Sequence, residues 1–329
     1  LKGPSAAALY GSRAGNGVIL ITTKKGSKEK MTVSFSTNTV FERPVKFLNF
    51  HYQYASGDRT SLLNERSAYW FGLPLDKGVS AVQWNSPLDA NGNQIPTELR
   101  SYPDNMRNFM QTGITSTNSL AIGGSSDRAT YRFSYTNMSH QGMIPNSDLF
   151  RHNITTNTDF KLNDKLTLST SVNFVRSKSN DRPSTGNRGA NAAESVYEWP
   201  HVDMKDLRDF WLPGQEQIQQ RSVADNADNP YFIAYGINNA FTRDRVFGNV
   251  KLDYKINDNF SAFARIMQDS YTENRETKIP FSFTRAAQGA YHLEDLARNE
   301  TNADFLVTFN KDIASDFNLN ISAGGNYMV

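Results

Sequence analysis

Apolar and polar residues alternate one by one along much of the chain, and this period of two is its clearest pattern. Even positions from 166 to 174 carry Leu, Leu, Thr, Val and Phe, whereas the odd positions carry Thr, Ser, Ser and Asn. Strict alternation is typical of a β-strand with one apolar and one water-facing side. Copies of the pattern predict about nine strands, at 33–41, 116–123, 131–135, 154–162, 166–174, 246–256, 260–274, 303–309 and 317–323.

Short and long connections alternate between these strands. Tight turns built from small residues, Asn and Asp are expected at 124–127, 163–164, 257–258 and 314–315. The longer segments are 42–114, 140–150, 179–241 and 276–300. A transmembrane β-barrel sorts its connections in this way, with short periplasmic turns on one side and long outer loops on the other. We therefore predict an all-β fold, a transmembrane antiparallel β-barrel, whose long extracellular loops are 42–114, 179–241 and 276–300.

A barrel gives the two series of side chains different surroundings. In lipid every backbone polar group has to be paired, so an antiparallel sheet there must close on itself. The Leu, Val, Phe and Ile series would face lipid, and the Asn, Ser, Thr, Lys and Asp series would face a wet lumen. The alternative is a soluble β-sandwich with a polar outer face. The sorting of the connections and the Asn-, Ser- and Thr-rich polar series favour the barrel.

The composition excludes several classes of protein. Lys and Arg number 35 against 33 Asp and Glu, so no basic excess points to nucleic acid. Cysteine is absent, which excludes disulfides, cysteine nucleophiles and thiolate metal sites. Aromatic residues reach 12%, more than a disordered chain would carry. No apolar run approaches the roughly 20 residues of a membrane-spanning helix.

No motif in the sequence indicates catalysis, a cofactor or a metal ion. The glycines at 11–17 lack the Gly-Lys-Ser/Thr ending of a phosphate-binding loop. The five histidines lack metal-ligand spacing, and no nucleophile elbow is present. Segment 225–229 is only faintly similar to a calcium loop and is interpreted as a turn. We therefore expect no catalytic residues, no cofactor and no metal, and hence no enzyme.

The first residues differ from the rest of the chain. Residues 2–11 have Pro near the start, alanines within and Gly at the end, which predicts a short helix. A Gly-Asn-Gly turn at 15–17 precedes a short apolar strand at 18–21. We interpret 1–28 as the end of a small α/β domain and 29–329 as the barrel segment that follows it.

Residues 1–26, which read LKGPSAAALYGSRAGNGVILITTKKG, closely resemble the end of the plug domain of SusC/RagA-type TonB-dependent outer-membrane transporters. Segments of the barrel region agree with the same family in order and spacing. They read YRFSY at 131–135, GMIPNS at 142–147, NPYF at 229–232 and RDRVFG at 243–248. The resemblance covers essentially the whole chain, with looser agreement in 42–114 and 179–241.

The resemblance implies a 22-stranded barrel of the bacterial outer membrane, filled by an N-terminal plug. About nine of those strands are present, which leads us to expect a part of a longer protein. The implied partners are the TonB complex, a SusD-like surface lipoprotein and the lipid bilayer. The implied function is energised import of a large solute, either an oligosaccharide (glycan) or a peptide. The alternative is a non-energised porin or a surface adhesin, although a porin has no need of the plug ending.

Aromatic residues in the long loops are candidates for binding solute or a partner protein. Aromatic faces can stack on sugars or anchor another protein, and equally they can pack the loops into a small core. The candidates in the loops are Trp70, Trp84, Tyr197, Trp199 and Trp211. Arg13 and Asn16, beside the Gly-rich turn, are candidates for polar contacts between plug and barrel.

Overall fold

The computed structural model of the chain describes residues 15–17, 31–59, 61–186 and 190–329. Eleven strands are present in these residues. They are β1 (Thr32–Glu42), β2 (Ser80–Ala81), β3 (Thr97–Glu98), β4 (Gly113–Ser125), β5 (Ala129–Gln141), β6 (Asp148–Lys161), β7 (Leu166–Ser179), β8 (Asn238–Lys255), β9 (Phe260–Ile279), β10 (Ala290–Ala314) and β11 (Phe317–Met328). The predicted helix at 2–11 and strand at 18–21 lie outside the described residues.

Nine of the strands form one antiparallel sheet in the order β1-β4-β5-β6-β7-β8-β9-β10-β11. Each strand therefore pairs with the next long strand along the chain. The two-residue strands β2 and β3 pair with each other inside the connection from β1 to β4. The alternating sequence pattern thus correctly predicted an all-β, antiparallel architecture and the number of long strands.

Helices are short and lie in the connections between strands. They are α1 (Asn105–Phe109), α2 (Ala192–Ser195), α3 (Pro230–Gly236) and a 3₁₀-helix (Met204–Leu207). Within the described ranges, no helix combines the length and the apolar character needed to cross a membrane.

The pairing register keeps the two faces of the sheet distinct from strand to strand. Because side chains alternate along each strand, residues that pair directly lie on the same face. One row of directly paired residues is apolar: Phe160, Leu168, Leu252, Ala264, Phe305 and Gly325. The adjacent row on the opposite face is polar: Asp159, Ser169, Lys251, Arg265, Asp304 and Asn326. The sheet therefore carries one apolar face and one polar face.

The apolar face is a band next to the short turns. In β8 it extends from Val246 to Tyr254, about 26 Å at ~3.3 Å per residue, which is comparable with the roughly 25 Å apolar belt of outer-membrane barrels. Beyond the band, β9 and β10 continue toward the long connections for many residues, with mostly polar side chains on both faces.

One predicted loop boundary is wrong for this reason. The segment 276–300 was expected to be a long loop. β9 instead continues to Ile279 and β10 begins at Ala290, so the connection comprises only residues 280–289. The halves of β9 and β10 that are nearer the long connections lie beyond the apolar band. They carry no period-two pattern of hydrophobicity from which a strand could have been predicted.

The four shortest connections lie at one end of the sheet, at 126–128, 162–165, 256–259 and 315–316, and the connection 142–147 lies at the other end. Side chains of Asn stabilise two of them. The Oδ1 atom of Asn257 accepts hydrogen bonds from the backbone N–H groups of Asn259 and Phe260, both at 2.9 Å. The Oδ1 atom of Asn163 accepts one from the N–H of Lys165, also at 2.9 Å. Such bonds are the reason that Asn favours tight turns.

Three long connections at the other end share one hydrophobic core. We call residues 43–112, 180–237 and 280–289 together the loop body. The first connection contributes Phe109, the second Trp199 and Phe232, and the third Phe283. The core also contacts Ile279 at the upper end of β9. Ile279 is an odd-numbered residue of β9, and the odd-numbered residues of β9, such as Arg265, lie on the polar face of the sheet. The loop body therefore packs against the polar side.

Candidate functional site

A network of ion pairs crosses β8, β9 and β10 on the polar face, just below the loop body. Glu273 lies at its centre, with a side chain that is only 1% exposed. The Nε atoms of Arg243 and Arg275 each donate to a different oxygen of this carboxylate at 2.5 Å. An Nη atom of Arg275 also donates to Glu294 at 3.0 Å. Both oxygens of Glu273 are therefore hydrogen-bonded, and the network holds this part of the polar face in a fixed arrangement.

Two bidentate ion pairs continue this pattern toward the short turns. In one, the Nε of Arg245 donates to Asp269 at 2.7 Å. In the other, the Nε of Arg265 donates to Asp304 at 3.0 Å. In both pairs an Nη atom contacts the second carboxylate oxygen. The guanidinium fork matches the carboxylate in such pairs, which fixes their geometry. The polar face is therefore charged and locally balanced, as expected for a wall facing a wet lumen.

Arg182 lies beside this network but is held differently. Its guanidinium group lies over the ring of Phe241, 4.6 Å from the centroid, and donates to the Oδ1 of Asn239 at 3.1 Å. Its Nε is buried and has no hydrogen-bond partner. Within the described part of the chain Arg182 forms no ion pair. Burial, together with repulsion from nearby Arg275, lowers the pKa of the guanidinium group from its usual value.

The neighbouring Asp181 is a buried carboxyl group that ties the loop body to the sheet. It is 6% exposed, and its Oδ1 accepts a hydrogen bond from the backbone N–H of Asn239 at 2.8 Å. The side-chain amide of Asn146 donates to its other oxygen at 3.4 Å. Burial raises the pKa of Asp181 to about 6, and the negative charge of Asp148 adds to the increase.

A cavity of about 160 Å³ lies between the loop body and the polar side of the sheet. Asp181, Arg182, Ser184, Asn239 and Thr277 supply its polar lining. Its remaining walls are largely aliphatic and include Ile144, Pro145, Ala192, Ile233, Ala234, Ile237 and Ile279. The cavity therefore combines a basic, hydrogen-bonding side with apolar walls.

Two of the aromatic candidates meet in a surface cluster of rings. Phe50 lies between Trp70 and Tyr197, with ring centroids 5.1 Å and 4.8 Å away. The neighbouring rings of Tyr69 and Phe71 are exposed by 63% and 53%. This surface offers aromatic faces to solvent, the property that stacking on a sugar or anchoring a partner requires.

The other three candidates pack inside or along the loop body. Trp199 is 1% exposed, and its Nε1–H donates to the carbonyl of Glu65 at 2.9 Å, so its ring is part of the core. Trp84 is half-buried beneath the guanidinium group of Arg221, which lies 4.9 Å from its ring centroid. Trp211 packs edge-on against Phe232 at 5.3 Å. The structure does not bring these three rings into the surface cluster.

The candidates for contacts between plug and barrel are described only in part. Asn16 lies exposed in a turn. Arg13 lies outside the described residues, as does most of segment 1–28. Their contacts with the barrel, and the division into domains at residue 28, stay predictions.

The segments that carried the family resemblance have structural roles in the loop body. Asn229 caps α3: its Oδ1 accepts from the N–H groups of Tyr231 and Phe232 at 2.8 and 3.3 Å, and Pro230 begins the helix. Asp228 accepts a hydrogen bond from the hydroxyl of Thr284 at 2.6 Å. Segment 225–229 is therefore held by protein contacts. Within the described residues, no group of His, Asp and Glu could hold a metal ion.

Sequence reasoning did not identify Arg182, Thr277 or Glu273 as members of a site. Arg243 and Arg245 were noted only as part of the segment RDRVFG. The signal that could have pointed to them is the run of charged residues in 273–278, which pairs with residues 238–243 and so meets this segment at Arg243. Because Arg182 lies in a long connection, only the folded structure brings it to the same face.

No model of a protein family matches the chain. The TonB-dependent receptor P3 of Formosa agariphila is 26% identical over 234 residues, which cover 71% of this chain and 20% of that protein. The TonB-dependent receptor SusC of Bacteroides thetaiotaomicron is 26% identical over 306 residues, covering 86% of this chain and 27% of SusC. The chain thus spans a fifth to about a quarter of the length of these relatives.

Solved structures of a RagAB importer share the fold. The RagAB peptide importer in its open-open state matches with a TM-score of 0.70 and 16% identity, covering 100% of this chain and 37% of that one. Its closed-closed state gives a TM-score of 0.66 at 16% identity, with coverages of 97% and 37%.

Proposed function

We propose that this chain, which is part of a SusC/RagA-type TonB-dependent receptor, forms a section of the wall of an outer-membrane transporter together with loops at its mouth. One observation carries the proposal. The sheet has an apolar band on one face and an ion-paired polar face on the other, and the loop body covers the polar side at one end only. This arrangement fits a β-barrel wall between lipid and a wet lumen, with its mouth at the loop body.

The proposed activity is TonB-dependent import of a large solute across the outer membrane. The resemblance of residues 1–26 to a plug ending supports it, because a plugged lumen requires an input of force before solute can pass. The relatives reported above bear the name TonB-dependent receptor, and no enzyme is among them. A non-energised porin or adhesin is the alternative, and neither requires a plug.

The proposed partners are the TonB complex and a SusD-like lipoprotein over the loop body. The exposed rings of Tyr69 and Phe71, beside Trp70, provide an apolar surface on that side of the molecule. The proposed cargo is an oligosaccharide or a peptide. Stacking rings suit sugars, whereas the ion-paired wall and the cavity near Arg182 also suit charged peptides.

The proposed activity is tested in cells that carry the full-length receptor. Uptake of fluorescent oligosaccharides and of fluorescent peptides is compared between the parent strain, a strain without TonB and a strain without the neighbouring lipoprotein gene. We expect one class of solute to enter, and entry to stop without TonB. Undiminished uptake without TonB would favour the porin, and normal surface exposure with no uptake of either class would favour the adhesin.

A further inference from the structure

The cavity beside Arg182 has the chemistry of a binding site. The ion-pair network around Glu273 on the polar face does not use the guanidinium group that lines it. Arg243 and Arg275 have their charges matched by Glu273 and Glu294. Among the described residues, the guanidinium group of Arg182 donates only to the neutral amide oxygen of Asn239, and its buried Nε has no partner. Burying a donor without a partner is unfavourable, so an acceptor placed there would gain binding energy.

The remaining lining of the cavity restricts what that acceptor can belong to. Thr277 also lines the cavity, and its side-chain hydroxyl makes no hydrogen bond within the described residues, so this group is available to a ligand. Ile144, Ile233 and Ile279 make other parts of the lining aliphatic. A sugar ring would bring several hydroxyl groups against these walls, where they would find no partners. An aliphatic side chain would find contacts there.

The size of the cavity sets the length of the ligand portion that it can hold. Its volume of about 160 Å³ is below the roughly 300–1,000 Å³ of pockets for drug-sized ligands. It therefore has room for one terminal residue of a longer solute. The side chains of Asn239 and Thr277 belong to the polar side of the sheet, so the rest of such a solute would extend along the proposed lumen.

We infer that this cavity binds the C-terminal residue of a peptide, with the carboxylate on Arg182 and Thr277 and an aliphatic side chain against the isoleucines. The inference rests on the proposed function, because it assigns a substrate class to the same transporter. A guanidinium group held flat on an aromatic ring presents its edge to a planar carboxylate, which is the favourable geometry for this pair.

The test uses the full-length receptor purified in detergent and isothermal titration calorimetry. The probes are Ala-Ala-Ala-Leu with a free C-terminus, the same peptide with a C-terminal amide, and trigalacturonate, which carries its carboxylates on sugar rings. The titrations are made at pH 5, where the carboxyl group of Asp181, which lines the same cavity and has a pKa of about 6, is protonated and does not repel a carboxylate. We expect the free acid to bind about tenfold more tightly than the amide, because a hydrogen bond to a charged group is lost in the amide. Trigalacturonate should bind more weakly than the free acid.

Three variants distinguish binding of the carboxylate in this cavity from a general attraction of the anionic peptide to arginines. Arg182→Gln should reduce the affinity for the free acid to that for the amide, and Thr277→Val should weaken it by a smaller factor of about three. The matched control is Arg298→Gln, since Arg298 lies on the same face of β10 but is 66% exposed and paired with Glu300. The Arg298→Gln variant should keep the same ratio of affinities for the free acid and the amide as the parent. Heat-modifiable migration on a gel confirms that each variant is folded.

Three outcomes would overturn the inference. The first is equal affinity for acid and amide, and the second is an acid preference that survives Arg182→Gln or disappears in Arg298→Gln. The third is tighter binding of trigalacturonate than of the peptide, which would assign the carboxylate to a sugar. None of these measurements involves TonB or uptake, so a failure here leaves the proposed transport to be decided by the cellular experiment.

Discussion

At the scale of single residues, Asp181 links the acidity of the medium to the packing of the loop body. Its pKa in the folded protein is about 6, above the value of 3.8 for an exposed carboxyl group. The unfolded carboxyl therefore ionises first as the pH rises. The contribution of Asp181 to stability is fully present below about pH 4 and is lost as the pH rises through about 6.

We predict that Asp181→Asn stabilises the loop body at pH 8, by up to about 3 kcal/mol, and has little effect near pH 4. The amide oxygen of Asn can still accept the hydrogen bond from the N–H of Asn239 without a buried charge. Hydrogen exchange at Asn239, compared between variant and parent at each pH, measures the difference. A constant difference from pH 4 to pH 8 would contradict the prediction.

Asn229 illustrates a buried polar residue whose hydrogen bonds are all satisfied. Besides capping α3, its Nδ2 donates to the carbonyls of Leu207 and Arg221 at 2.9 and 2.8 Å. We predict that Asn229→Ala destabilises the loop body by about 2–4 kcal/mol, because it removes the cap and leaves buried backbone groups unpaired. The readout is the rate of proteolysis within 180–237.

The matched control for that change is Asn226→Ala. Asn226 is close in the chain, and its side chain makes one exposed hydrogen bond, to the carbonyl of Arg66 at 2.9 Å. Its loss should change stability by no more than about 1 kcal/mol. Equal proteolysis of the two variants would show that the buried network around Asn229 does not hold the loop body together.

At the scale of elements, the two faces of one strand should respond oppositely to the same new charge. Leu168→Arg and Val250→Arg place a cation in the apolar band and should impair insertion by roughly 2–4 kcal/mol near the bilayer midplane. Ser169→Arg and Asn249→Arg place it on the polar face and should have much smaller effects. Heat-modifiable migration of the membrane-assembled receptor reports insertion, and equal losses for both pairs would refute the assignment of the faces.

The sequence was informative wherever one face of a strand is apolar. The lower parts of the nine long strands, and the turns at Asn163 and Asn257, follow from local alternation and turn chemistry. The upper parts of β9 and β10 did not, because water on both faces removes the alternation. The burial of Trp199 and the meeting of Arg182 with Phe241 depend on contacts between distant connections, which no local pattern records.

At the scale of the whole molecule, all tight turns lie at one end of the sheet and the loop body at the other. If the loop body is extracellular, cysteines replacing exposed Asn91 or Glu216 should react with a membrane-impermeant maleimide on intact cells. A cysteine replacing exposed Asn257, in a tight turn, should react only after the outer membrane is permeabilised. Labelling of position 257 on intact cells would reverse the orientation of the chain.

The single core shared by three connections also limits how the mouth of the molecule can diverge during evolution. Phe109, Trp199 and Phe283 come from different connections and belong to one core, so a larger side chain in one must be accommodated by the other two. Relatives with different surfaces at this end should therefore have inherited the three connections as a set. A chimera that exchanges one connection alone should misfold more often than one that exchanges all three.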